Sequence, residues 1–315
     1  MTKAIQVSET GGPEVLVFTD VEVSKPGPGE ALIRHTSIGL NFIDVYFRTG
    51  TYPAPHLPFI PGMEGAGEVL ELGEGVSHLS VGDRVAYAGP MGSYSEERTI
   101  DAGVLVKIPE GVSDDQAASM MLQGMTARYL LRETFRVGPE HTILFQAAAG
   151  GVGLIAGQWA KHLGATVIGT AGSAEKIELA KQNGYDHVIN YREDRFEGVV
   201  RKLTKKRGVD VVFEHVGKDT WAGSLLVLKR GGRLVTCGST SGVSAETVIV
   251  SCADKSATRC CEANRLRSFN CAIGASTVIS TALPVARSRA VTLSLPLTSK
   301  SNWTVISGGC PGTIE

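Results

Sequence analysis

Apolar and polar residues alternate in short runs over the first hundred residues of the chain, and turn formers cut the runs. KAIQV, EALIRHTSIGL, GAGEVLELG, DRVAYAG and VLVKIP read as strands, punctuated by GGPE, KPGPGE and GEGV. Strands this short and this closely spaced predict a compact, partly open β-barrel from Met1 to about Ile108. The period then changes. SDDQAASMMLQGMTARYLLRETFRV carries a helical pattern behind Ser113 as N-cap, with Asp114 and Asp115 where the helix dipole favours negative charge. Beyond it, TILFQA, ATVIGT, HVINY, VDVVFEHVG and RLVTCG alternate with helix-like segments. Strands alternating with helices of roughly 10 to 15 residues predict an α/β domain with a parallel, doubly wound sheet. The expected division is a barrel domain over 1–124, a sheet domain over 125–242 and a segment, 243–315, in which helical periodicity is poor.

Composition narrows the partners. A chain of 315 residues, 43% of them hydrophobic, is long enough for two ordinary cores. Its net charge of -1 supplies no bulk attraction to nucleic acid or to an anionic membrane, so a small molecule is the expected partner. No apolar run approaches the roughly 18 residues of a spanning helix. The opening MTKAIQVSETGG lacks the pattern of a secretory signal, and the expected location is the cytoplasm. All six cysteines stand at or beyond Cys237, which does not read as a secreted disulfide framework.

The most informative stretch is FQAAAGGVGLIAGQWAKHLGATVIGTAGSAEK. Ala148, Gly150 and Gly153 occupy the three positions of a G-x-G-x-x-G turn after the first strand of the sheet, with alanine in place of the first glycine. Gly151 and Val152 complete the cradle. Such a turn brings backbone N–H groups and a helix N-terminus against a pyrophosphate, and Gly153 permits close helix–sheet contact. A domain selective for NAD places an acid about 20 residues further on, to hold the ribose 2′-hydroxyl. Here that strand end reads Ile168-Gly169-Thr170-Ala171-Gly172-Ser173, without a carboxylate, and Lys176 follows one helical turn later. With Tyr191 ending the next strand, the pocket favours a 2′-phosphate, hence NADPH. The alternatives are a solvated helix lysine at 176 and a strand-end packing residue at 191.

From Met1 to about Gly242 the chain resembles the zeta-crystallin-like quinone oxidoreductases of the medium-chain dehydrogenase/reductase superfamily. The motifs GGPEVL, GLNFIDVYFRTGTYP, PGMEGAGEV, GDRVAYAG, AAAGGVGLIAGQWAKHLGA, INYR and VGKDTW carry the resemblance, in order. It implies a GroES-like barrel, a six-stranded Rossmann sheet, an active site in the cleft between them, a homodimer, and reduction of quinones by NADPH. It also implies site residues. Asn41, Phe42 and Tyr46 belong beside the nicotinamide, with Asn41, Tyr46 and Tyr52 as the catalytic set and the two tyrosines lining the acceptor pocket. Thr126, Tyr129, Gly172, Ser173, His215, Gly238 and Ser239 join the turn residues along the cofactor. Tyr46 and Tyr52 share one Gly/Pro-bounded loop segment, better placed for a cleft than for a core; the alternative is packing at the barrel rim.

The same superfamily contains zinc alcohol dehydrogenases. Where those enzymes carry a cysteine and a glycine-histidine-glutamate set, this chain has Asn41-Phe42 and Gly62-Met63-Glu64. Met63 is not a substitute for histidine, and no cysteine exists in the barrel, so metal-free chemistry is expected; Glu64 reads as structural. After Gly242 the family pattern stops. The remaining residues carry Cys252, Cys260, Cys261, Cys271 and Cys310, which form no zinc spacing and read as incidental thiols, and a shifted reading frame or an aberrant splice is the expectation for 243–315. Two other functions stay open at this point: an enoyl or alkenal reductase of the same superfamily, and a non-catalytic crystallin-like or RNA-binding relative.

Overall fold

Two units divide the chain, Met1–Met125 and Thr126–Glu315. The structure, a computed structural model, describes residues 1–242 in full and beyond them only the backbone of strands 276–280 and 303–307. In the first unit β1 (Thr2–Gln6) and β2 (Val17–Val21) form an antiparallel pair. A second antiparallel sheet orders β3 (Glu30–Gly39), β4 (Glu64–Leu72), β5 (Arg84–Ala88), β6 (Glu97–Asp101) and β7 (Val106–Lys107) as β6-β3-β4-β5-β7. Its inward positions, among them Ile33, Val69, Val85, Tyr87 and Ile100, make the core. The pattern of the sequence gives no sign of β2 or β6.

The stretch read as a loop around Tyr46 is a helix instead, α1 (Phe42–Arg48). The Asp44 carboxylate accepts the Asn41 backbone N–H at 2.9 Å and so satisfies a donor at the helix start. At the other end the Arg48 guanidinium donates to Gly11 O at 2.8 Å. These two bonds, one within the helix start and one to a segment 37 residues away, outweigh the turn formers that flank the helix.

Helix α2 (Asp114–Tyr129) starts as expected: Gln116 N–H donates to Ser113 Oγ at 3.2 Å, and Ser113 N–H to Gln116 Oε1 at 3.0 Å. There follow β8 (Thr142–Phe145), α3 (Gly151–His162), β9 (Thr166–Ala171), α4 (Ala174–Gln182), β10 (His187–Asn190), α5 (Phe196–Leu203), β11 (Val209–Glu214), α6 (Trp221–Leu226) and β12 (Leu228–Thr236). Two further strands, β13 (Ser276–Ser280) and β14 (Trp303–Ser307), extend one parallel sheet of order β10-β9-β8-β11-β12-β13-β14. The remaining residues of 243–315, with the five cysteines and the expectation of an altered reading frame, lie outside the described residues. The sheet is covered on both faces, so its strands are apolar runs rather than alternations, and all six residues of β11 are buried. Since the order reverses between β8 and β11, a crevice is expected at the C-terminal ends of those two strands.

A string of buried polar side chains crosses the sheet at that level. Glu214, ending β11, accepts from the backbone N–H groups of Val216 (2.8 Å) and Gly217 (3.1 Å). Thr220 Oγ1 stands 2.8 and 2.9 Å from its two oxygens, and Ser224 Oγ donates to it at 2.5 Å. Gln146 Nε2 donates to Ser224 Oγ at 2.9 Å, and Thr170 Oγ1 to Gln146 Oε1 at 2.5 Å. Glu214, Ser224, Gln146 and Thr170 are each 0% exposed. Burial pushes the Glu214 carboxyl up, against the pull of its donors. Glu214→Ala strands these donors without water, and a loss of about 3 kcal/mol or more in urea unfolding is expected, with a smaller loss for Glu214→Gln. An unchanged unfolding midpoint in the alanine variant would contradict this role.

Candidate active site

The turn after β8 is tight. Ala147 takes the left-handed conformation (φ 54°), and Gly150 N–H donates back to Ala147 O at 2.9 Å. Ala148, buried at 0% exposure, donates its N–H to Thr170 O at 2.9 Å, which ties the turn to β9. Gly150 is the N-cap of α3, has no side-chain cap, and is exposed; the helix start therefore presents backbone donors outward. Gly153 is buried beneath it. A Cβ there would stand 2.5 Å from Ala148 O, so only glycine lets α3 pack this closely on the strand ends. At Gly150 a Cβ would meet only Ala147 O, at 3.2 Å.

A cavity of about 340 Å³ opens beside this turn. Ala147, Ala149 and Gly150 line one side, Thr170, Ala171 and Gly172 another, and Lys176, Tyr191, Val216, Asp219, Thr240 and Ser241 complete it. Of the residues expected on the cofactor, Gly150, Gly172, Lys176 and Tyr191 are thus together. Ser173 caps α4 by accepting Lys176 N–H at 3.3 Å. Gly151 and Val152 form the first turn of α3, exposed and half-buried. His215 packs away from the cavity: its ring lies 4.6 Å from that of Phe145, Nδ1 is 3.1 Å from Cys237 Sγ, and burial lowers its pKa to about 4. Gly238 and Ser239 sit one step behind the lining, which the next two residues supply. Thr126 is 7% exposed, and Tyr129 packs against the sheet core. The sequence reading missed Val216, Asp219, Thr240 and Ser241; the signal was available, because all four follow the C-terminal ends of β11 and β12.

In the first unit, Asn41 caps α1 and is fixed at both ends of its amide. Nδ2 donates to Glu64 Oε1 at 2.7 Å, and Gln123 Nε2 donates to Asn41 Oδ1 at 3.3 Å. Glu64 is 0% exposed and also accepts Leu122 N–H at 2.7 Å. Tyr94 donates to Asp44 Oδ2 at 2.9 Å, and burial pushes both the Asp44 and the Glu64 carboxyls up. Tyr46, 7% exposed, lies between Phe42 (5.3 Å between ring centroids) and Tyr52 (5.0 Å), while Phe42 itself is 49% exposed. A larger cavity of this unit, about 560 Å³ and lined in part by His56, Met91 and Arg98, contains none of the expected site residues. Among the described residues no three His, Cys, Asp or Glu side chains converge as a metal set, and among them no helix is long and apolar enough to cross a membrane.

Comparison with known proteins bears on both units. Residues 27–110 match the alcohol dehydrogenase GroES-like domain, and residues 151–286 match a family described as zinc-binding dehydrogenase. The quinone oxidoreductase of Pseudomonas aeruginosa is 50% identical over 243 residues, 77% of this chain and 75% of the relative. The chain belongs to the quinone oxidoreductases of the medium-chain dehydrogenase/reductase superfamily. A 2-haloacrylate reductase from a Burkholderia species is 44% identical over 251 residues, 78% of this chain and 75% of that one. Among solved structures, Escherichia coli quinone oxidoreductase complexed with NADPH superposes with a TM-score of 0.76 at 44% identity, over 78% of this chain and 76% of that one. The second family match runs beyond Gly242 to residue 286, into the segment where the sequence pattern of the quinone oxidoreductases stops.

For this quinone oxidoreductase the two glycines separate binding from folding. Gly150→Val should cost the fold less than Gly153→Val does and remove dinucleotide binding, because its side chain stands at the helix start where the phosphates must approach. Gly153→Val should destabilise the sheet unit itself. Titration calorimetry on folded Gly150→Val that returned the wild-type affinity would refute the cradle.

Proposed function

We propose that the chain is a zinc-independent, NADPH-dependent quinone reductase. One observation carries the reading: at the end of β9 the cavity beside the glycine turn is closed by Gly172, Lys176 and Tyr191 with no carboxylate among them, the acid of its lining, Asp219, coming instead from the loop after β11. That corner suits a 2′-phosphate and lacks the carboxylate with which a selective NAD site holds the ribose 2′-hydroxyl. The backbone donors at Gly150 and the start of α3 fit a pyrophosphate. The relative from Escherichia coli, complexed with NADPH, supports the same assignment.

NADPH supplies a hydride when bound. The chain's residues have the lesser chemical task of binding and orientation. Asn41, held by Glu64 and Gln123, keeps one amide N–H and an oxygen lone pair in fixed directions for a carboxamide. Tyr52 presents an aromatic wall against which a quinone ring stacks, with a hydroxyl to hydrogen-bond a quinone oxygen; Tyr46, packed on it, sets its orientation. Phe42, exposed beside them, extends the apolar surface. No proton need be held by a metal-bound water, and the donor set Asn41, Met63 and Glu64 lacks the nitrogen and sulfur ligands of a catalytic zinc. The homodimer implied by the resemblance belongs to the same proposal and is checked by light scattering.

A second reading, reduction of an activated C=C bond, is favoured by the haloacrylate reductase relative. NADPH oxidation measured with a small quinone and with an α,β-unsaturated acceptor separates them; faster turnover of the unsaturated acceptor would replace the first reading with the second. Activity should survive prior treatment with a chelator, and its loss would sink zinc independence. Tyr52→Ala should cut quinone turnover by roughly five- to thirtyfold, about 1 to 2 kcal/mol, with NADPH affinity intact. Lys176→Ala should cost about 1.5 to 3 kcal/mol in NADPH binding and far less for NADH. Equal losses for both nucleotides would remove Lys176 from the 2′-phosphate.

A further inference from the structure

The corner of the cavity around Gly172 holds a second cation that the reading above does not use. A Cβ on Gly172 would stand 2.7 Å from the Tyr191 hydroxyl oxygen and 3.2 Å from Arg192 Nε. The Tyr191 and Arg192 side chains thus both lie close over Gly172. The Arg192 N–H is anchored by Asn190 Oδ1 at 3.1 Å, which fixes the start of the side chain as β10 ends. Gly172, Tyr191 and Lys176 line the cavity; Arg192 does not itself line it, but its Nε lies over Gly172, which does. Neither Lys176 nor Arg192 takes part in the ion pairs found among the described residues. Two cations with no acidic partner thus flank the end of β9, where a selective NAD site would carry an acid.

We infer that Arg192 is a specificity-determining residue, closing with Lys176 on the 2′-phosphate of NADPH. The inference rests on the NADPH reading of the cavity. Chemistry divides the work between the two side chains. A lysine ammonium is a mobile point charge, whereas the planar guanidinium offers a fork of donors matched to phosphate oxygens. An arginine serving only as a solvated strand end would contribute equally to both nucleotides or to neither.

The test is calorimetric titration of wild type, Arg192→Ala and Arg192→Lys with NADPH, NADH and 2′-AMP. In Arg192→Ala the NADPH dissociation constant should rise about tenfold and that for NADH should stay within about twofold, as for loss of one charge-assisted hydrogen bond. The affinity for 2′-AMP should fall in parallel with that for NADPH. Arg192→Lys should recover part of the loss, and the difference between variants should shrink as salt rises. Wild-type preference for NADPH that survives unchanged in Arg192→Ala overturns the role of Arg192 alone, and so does an equal loss for both nucleotides. A wild type that binds neither nucleotide, or both equally, overturns the cofactor reading together with this inference.

Discussion

Glu214 ends a strand with every residue buried, out of reach of water, and its two oxygens are satisfied only by donors that the surrounding chain brings to them. A buried carboxylate left short of donors is costly, by more than most single contacts contribute. The loop after β11 must therefore bend so that Val216 and Gly217 present their N–H groups, and α6 must start where Thr220 and Ser224 reach back. Ser224 then fixes Gln146, and Gln146 fixes Thr170, so one electrostatic requirement sets the ends of β11, β8 and β9 together. Those three ends carry most of the cavity lining.

Against that frame the glycine turn needs little of its own. Ala147 accepts a left-handed backbone, which an alanine adopts at a cost of order 1 kcal/mol, because the bond from Ala148 to Thr170 and the packing of Gly153 leave it no alternative. Gly153 is demanded from within, by the carbonyl of Ala148; Gly150 is left open to the outside. The two conserve different things: one the contact of helix and sheet, the other room for a ligand.

The alternation of period 2 runs with helical runs was enough to read both units of the fold, and the cap at Ser113 marks the start of α2 to the residue. These are local signals, carried by neighbours in the chain. Helix α1 escaped because Gly and Pro flank it, while its stabilising bonds join Asn41 to Asp44 and Arg48 to Gly11. The cradle and Lys176 were legible since a spacing rule covers them. The buried string was not: Gln146 and Ser224 are 78 residues apart, and Gln146 and Thr170 are 24 apart. A Gln directly after TILF and a Glu ending VDVVFE were visible as polar residues on apolar strands, but their partners are chosen by sheet order, which the sequence does not spell. Arg192 was hidden for the same reason, as its neighbour Gly172 follows a different strand, β9.

The cavity has no existence apart from the closed sheet, since its walls come from the ends of separate strands held by contacts distant in sequence. Whatever fills it binds the folded chain and ignores the unfolded one, and so shifts the folding balance by RT ln(1 + [L]/Kd), about 2.7 kcal/mol at a hundredfold excess over Kd. The survival of the protein against proteases is thereby tied to the supply of its nucleotide: a cell depleted of that ligand would clear the chain faster, and one rich in it would keep it longer, with no change in synthesis.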